Sequence, residues 1–167
     1  IPLPIQLDYR TPETLGRDRL AGVVAAAHLF PSSDSLVIDA GTCITYDLID
    51  SNMVYQGGSI SPGLAMRYEA LHKLTGALPL VEHEDPNRLV GKSTEYSIKT
   101  GVYNGMMHEI NGTIRQYKLE KSPLNVVICG GNAKDLLPHL EEDAYHEEDL
   151  VLIGLHKILI YNALQKN

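Results

Sequence analysis

Between Ser35 and Ile60 the chain sets down three strand patterns in succession, "SLVIDAG", "TCITYDLI" and "MVYQGGSI", separated by nothing longer than a turn. Connections this short join antiparallel neighbours, so the stretch predicts a three-strand meander. The first segment is continuously apolar, as a strand buried on both faces is, whereas the second alternates in part. The first turn is unusual in its chemistry. It carries Asp39, Gly41 and Thr42, with Thr45 just beyond. Gly41 lets backbone approach a polyanion, the threonine hydroxyls can donate to one, and Asp39 can hold a cation or a water. The same residues also serve an ordinary hairpin turn, where Asp and Gly meet backbone needs alone. On these residues both readings stand.

The rest of the chain supplies helices to cover such a sheet. Residues 1–13 read as extended or irregular, because each residue before a proline is pushed away from helix. "GRDRLAGVVAAAHLF" has Ala-rich helical character and ends at Pro31. Pro62 can open a helix over residues 63–76, and residues 76–93 read as a loop. Ile98, Val102, Met106, Ile110 and Ile114 then recur every fourth residue, which predicts a long helix from Thr94 to about Tyr117. "PLNVVICGG" reads as a further buried strand ending in a diglycine. "NAKDLLPHL" reads as a short helix and "DLVLIGLHKILIYNAL" as a final apolar one. The order predicts an α/β fold, a mixed sheet with helices packed on it.

Composition narrows the function classes. A length of 167 residues suits one domain, or one domain and a piece of another. The formal net charge of -7 argues against a general nucleic-acid surface. No apolar run is long enough to span a bilayer, and no signal-peptide pattern occurs. The two cysteines, Cys43 and Cys129, sit inside apolar runs and read as buried free thiols of a reducing, cytoplasmic compartment. No His/Cys spacing suits zinc. The chain starts at Ile1 without Met, in the proline-spaced "IPLPIQLDYRTP", and the expectation is that upstream residues have been left out.

Three segments are candidates for phosphate contact besides plain turn chemistry. "LVGKST" ends like a P-loop, but the glycine that motif needs five residues earlier is Pro86, and no strand leads into it. The turn at Asp39–Thr42 is the second. The third is "CGGNA", where side-chain-free backbone at Gly130 and Gly131 lets a ring or ribose pack closely. "QGGSISPG" is one more glycine-rich strand exit, feeding a helix start.

Taken in order, these motifs resemble the C-terminal part of the type III pantothenate kinases, members of the actin-like and sugar-kinase ATPase superfamily. "YRTPETLGRDR" resembles the family's Tyr-x-x-Pro-x-x-Leu-Gly-x-Asp-Arg signature, and "DAGTCIT" its Asp-x-Gly-Thr-x-x-Thr second phosphate motif. "GGSISPG", "LTGALP", "GKST" with Gly101 beyond it, "CGGNA" and "LVLIGL" follow in the family's order.

The resemblance implies a ribonuclease H-like, actin-like ATPase fold and ATP-dependent phosphorylation of pantothenate, the first step toward coenzyme A. It implies that residues 1–20 are the tail of an N-terminal ATPase domain and the start of a connecting helix, with residues 21–167 the second domain. Asp18 would be the general base, a role that needs a positioned proton acceptor rather than a powerful one. On spacing alone Asp18 reads equally as a carboxylate favoured at a helix N-terminus. Tyr9, Gly16, Arg17, Asp18, Arg19 and Thr94 would line the pantothenate pocket, with Arg19 the partner of the substrate carboxylate. Asp39 would bind a monovalent cation, potassium or ammonium. Gly41 and Thr42 would contact the ATP phosphates, and Gly130 and Gly131 would flank the adenosine. The resemblance also implies a homodimer, in which the long helix after Thr94 packs either on a partner or in its own core.

One family element is missing. An Asp-x-Gly-Asn-Thr motif, which grips phosphate and supplies the main carboxylate for magnesium, has no match in this sequence. The expectation is that these residues alone are catalytically inactive. Two other readings compete: a non-enzymatic relative serving as a transcription accessory factor, and another small-molecule kinase of the superfamily.

Overall fold

The computed structural model describes residues 1–165. Its centre is the expected meander: β2 (Asp34–Ala40), β3 (Cys43–Ile49) and β4 (Val54–Pro62), paired antiparallel in turn. The strand β5 (Leu124–Cys129) lies parallel to β2, with Asp39 beside Cys129. Two short edges complete the sheet, β1 (Gln6–Leu7) parallel to β4 and β6 (Tyr145–His146) parallel to β5. The order across the six strands is β1-β4-β3-β2-β5-β6. Neither edge strand is anticipated from sequence, because two residues carry no readable alternation.

Alternation along the strands divides the interior in two. Leu36, Ile38, Ile44 and Tyr46 face a core completed by α2 (Leu64–Leu74) and α3 (Thr94–Glu120). Val37, Ile49, Tyr55 and Val127 face one made with α1 (Arg17–Leu29) and, through Leu150, α5 (Leu150–Leu164). With cover on both faces, β2 has no solvated side, which is why its sequence is almost uninterruptedly apolar.

Each helix follows from local chemistry. α1 is Ala-rich, and α5 lies close against it because Gly154 faces the Ala21 backbone, where a Cβ would collide with the carbonyl. α3 starts at Ser93, whose Oγ accepts the Tyr96 N–H at 3.2 Å. That places "GKST" at a helix cap rather than after a strand. The apolar stripe of α3, Ile98 to Ile114, is buried in the chain's own core. The predicted short helix after β5 is two pieces, α4 (Ala133–Leu136) and a 3-10 turn (Leu137–His139), since Pro138 removes a helical N–H donor. Cys129 is buried and Cys43 half-buried, both unpaired. Among the described residues no helix is long and apolar enough to cross a membrane.

Candidate active site

The turn between β2 and β3 is pinned from three directions. Internally, the Gly41 N–H donates to the Cys43 carbonyl at 3.0 Å. From the start of α2, the Gly63 N–H donates to the Thr42 carbonyl at 3.0 Å. From the exit of β5, the Asn132 N–H donates to the Ala40 carbonyl at 3.0 Å. Two glycines are required by this closeness. A Cβ on Gly63 would run into the Gly41 and Thr42 carbonyls, and Gly130 (φ +92°) abuts the Asp39 carboxylate and the Ala40 backbone. The "GGSISPG" and "CGGNA" segments therefore converge on the Asp39–Thr42 turn, although they lie far apart in sequence.

Beside the turn opens a cleft of about 640 Å³, lined by Gly41, Thr42, Gly131 and Asn132, the first turn of α2, Tyr68, and the loop residues Leu80 to His83. Thr42 is exposed at its edge. Of the residues assigned to ATP from sequence, Gly41, Thr42 and Gly131 line this one space, and Gly130 underlies it.

The other assigned residues lie mainly on the α1 side of the sheet. Asp18 occupies the first turn of α1, exposed, its carboxylate accepting the Arg19 N–H at 2.8 Å. Gly16 caps that helix, and a side chain there would crowd the Asp18 carboxylate. Asp39 is close enough to Asp18 for the two charges to interact. Burial first, then the charges of Asp18 and Asp47, push the Asp39 pKa above the ordinary carboxylate value. Arg17 is exposed and lines a separate hollow between the N-terminal segment and α5.

Arg19 is not free. Its Nε donates to both oxygens of Asp47 (3.0 and 3.2 Å), and its Nη2 to Asp47 Oδ1 at 2.7 Å and to the Tyr55 hydroxyl at 3.0 Å. The Tyr55 hydroxyl in turn donates to Asp47 Oδ1 at 2.7 Å. The side chains of Arg19 and Asp47 are 8% and 1% exposed. Burial alone would lower the Arg19 pKa, but the bond to Asp47 and its charge more than offset it, and the net shift is upward. Burial, reinforced by Asp47, pushes Tyr55 upward as well. Tyr9 joins this group through its ring, 5.7 Å from that of Tyr55 and packed over Gly57 (φ +93°).

Thr94 stands apart. It lines a groove of about 790 Å³ between α2 and α3, with Arg67, Leu71 and Val102, on the opposite side of the sheet from α1. Within one chain it does not join Asp18.

Asp47 and Tyr55 were missed by the sequence reading. The available signal was a carboxylate inside an otherwise buried strand, "TYDLI", which needs a partner. Asn132 and Gly63, which fasten the turn, were covered only as parts of motifs. Among the described residues no group of three His, Cys, Asp or Glu side chains could hold a metal ion.

The family model described as type III pantothenate kinase matches residues 1–116. The type III pantothenate kinase of Cytophaga hutchinsonii is 49% identical over 161 residues, covering 96% of this chain and 68% of the relative. That of Bacteroides fragilis is 50% identical over 161 residues, covering 96% and 66%. The chain thus spans about two thirds of the length of these relatives. Among solved structures, a protein described as a Baf family transcriptional activator from Campylobacter jejuni superposes with a TM-score of 0.66 at 24% identity, covering 95% of this chain and 69% of that one. A protein described as a 2-dehydro-3-deoxygalactonokinase from Sinorhizobium meliloti gives 0.58 at 13% identity, covering 85% and 58%. These two likenesses concern the fold, a mixed sheet of the actin-like ATPase and sugar-kinase class. With the match to the family model and to relatives near half identity along almost its whole length, the chain belongs to the type III pantothenate kinase family.

Proposed function

We propose that this chain carries the acceptor side and the second phosphate turn of an enzyme that transfers the γ-phosphoryl group of ATP to the hydroxyl of pantothenate. The observation that carries the reading is the convergence of Gly63, Gly130 and Asn132 on the Asp39–Thr42 turn, with a cleft of about 640 Å³ beside it lined by Gly41, Thr42 and Gly131. Phosphoryl transfer asks mainly for positioning and for stabilised charge, and a turn with the exposed Thr42 at the edge of a cleft answers to that need.

In this reading Asp18 accepts the proton of the attacking hydroxyl. Thr42 and the backbone at Gly41 meet the phosphates. The first turn of α2 lines the same cleft, and the amides of a helix's first turn lack intrahelical partners, so they favour an anion. Gly130 and Gly131 lie beside the nucleoside. Tyr9, Gly16 and Arg19 border the pantothenate pocket, and Arg17, whose side chain lines a separate hollow, belongs to it only through the same helix start. Asp39 would hold a monovalent cation: its carboxylate is part-buried, and the charges of Asp18 and Asp47 add to its own. A bound potassium or ammonium ion would supply charge there to offset the phosphates. Magnesium would be held mainly by the Asp-x-Gly-Asn-Thr carboxylate that the resemblance implies and by the nucleotide itself. Thr94, on the far side of the sheet, would reach a pantothenate site only in a second copy, which supports a homodimer. The enzyme would be cytoplasmic.

A thermal-shift series on protein of the relatives' full length, with ATP, potassium and pantothenate, tests the assignment. Stabilisation by pantothenate is the expected result. A response to ATP with a different alcohol would favour another kinase of the superfamily, and no response to either would favour a non-enzymatic relative. We also expect the 167 residues alone to show no turnover in a coupled kinase assay; rates near those of the longer protein would contradict this.

A further inference from the structure

We propose that Asp47, with Tyr55, is a positioning residue for pantothenate: it fixes the guanidinium of Arg19 and, through it, the helix turn that carries Asp18. The inference rests on the function proposed above and adds to it two residues that none of the family motifs contains.

The geometry is specific. Asp47 sits mid-strand on β3, almost wholly enclosed, and its carboxylate receives three contacts from Arg19 and one from Tyr55. These engage Nε and Nη2 of the guanidinium in a fork that lysine could not reproduce. Space for the cluster is made by Gly58, opposite Asp47, where a Cβ would collide with Tyr46 backbone and crowd Asp47 Oδ1.

Stability alone is a poor reason for such a group. A buried ion pair seldom outperforms apolar side chains of equal volume, since two charges must leave water. What the pair does provide is a single orientation. Arg19 follows Asp18 directly, and its N–H holds the Asp18 carboxylate, so an immobilised Arg19 also fixes the adjacent base.

The test uses steady-state kinetics on full-length protein. Asp47→Asn should lower kcat/KM for pantothenate about a hundredfold while leaving KM for ATP unchanged. Because that variant can fail to fold, Tyr55→Phe provides a second measure, with pantothenate KM raised about three- to tenfold at unchanged melting temperature. Adding Asp47→Asn to Arg19→Gln should cost nothing further, as Asp47 acts through Arg19. Equal effects on both substrates, additive losses in the double variant, or a Tyr55→Phe enzyme with wild-type pantothenate KM would overturn the positioning role. Wild-type protein that cannot phosphorylate pantothenate would overturn the function itself, and this role with it.

Discussion

Strand β3 separates two clusters of the same composition: an arginine, a carboxylate and a tyrosine. On the α1 side stand Arg19, Asp47 and Tyr55. On the α3 side stand Arg67, Glu109 and Tyr46, with Arg67 Nη2 donating to Glu109 Oε2 at 2.6 Å and the Tyr46 hydroxyl donating to Oε1 at 3.0 Å. The ingredients match, yet the surroundings differ. Asp47 is 1% exposed, whereas the side chains of Arg67 and Glu109 are 18% and 30% exposed. Arg67 also has neutral partners, the Pro62 carbonyl at 2.8 Å and Ser61 Oγ at 3.0 Å. Solvent and spare partners make the second cluster a brace between α2 and α3. The first is sealed, so no solvent can replace its carboxylate.

Truncation breaks the two clusters unequally. Asp47→Ala leaves a buried guanidinium uncompensated and should cost about 3–5 kcal/mol in urea unfolding. Glu109→Ala should cost only about 1 kcal/mol, because water and the Ser61 and Pro62 oxygens take over. Equal losses would show that burial does not distinguish the two.

Acid sharpens the contrast between two further carboxylates. Burial opposes ionisation of Glu109, but Arg67, Ser61 and Tyr46 outweigh it and hold its pKa below the usual value of 4.5. Its contribution to stability is therefore present above that value and is lost as pH falls through the folded pKa. Asp39 is shifted the other way, above 3.8. Its ionisation costs stability increasingly as pH rises from 3.8 to the folded pKa, in full above that, and nothing well below 3.8. Asp39→Asn should accordingly raise the melting temperature at neutral pH, with the gain vanishing in acid. Glu109→Gln should lower it at neutral pH, with the loss vanishing in acid. A neutral-pH loss in Asp39→Asn would mean that the carboxylate has a partner. A stabilising substitution at the proposed cation site is the pattern of a residue kept for chemistry.

Much of the fold was legible because it is written in short-range pattern. The meander shows as three apolar runs with turn residues between them, and α3 as a four-residue stripe, which the structure buries as one seam. The edge strands were invisible at two residues each. Within the site, the Asp39–Thr42 turn could be found locally, and Gly63 and Gly130 turned out to be the residues that let neighbouring backbone close on it. Asp47 could not be found that way. Its partner lies 28 positions upstream, and nothing in "TYDLI" names that partner. Thr94 shows the converse. The motif grouped it with Asp18, and the three-dimensional arrangement puts the sheet between them.

The central claim is that Asp18 acts on the acceptor hydroxyl. Its most direct test is pantothenate-dependent ADP formation by full-length wild-type and Asp18→Asn protein. A fall in kcat of about a hundredfold or more, with ATP binding retained, is the expected result. Activity within a few-fold of wild type would contradict it and leave Asp18 as a helix-start residue.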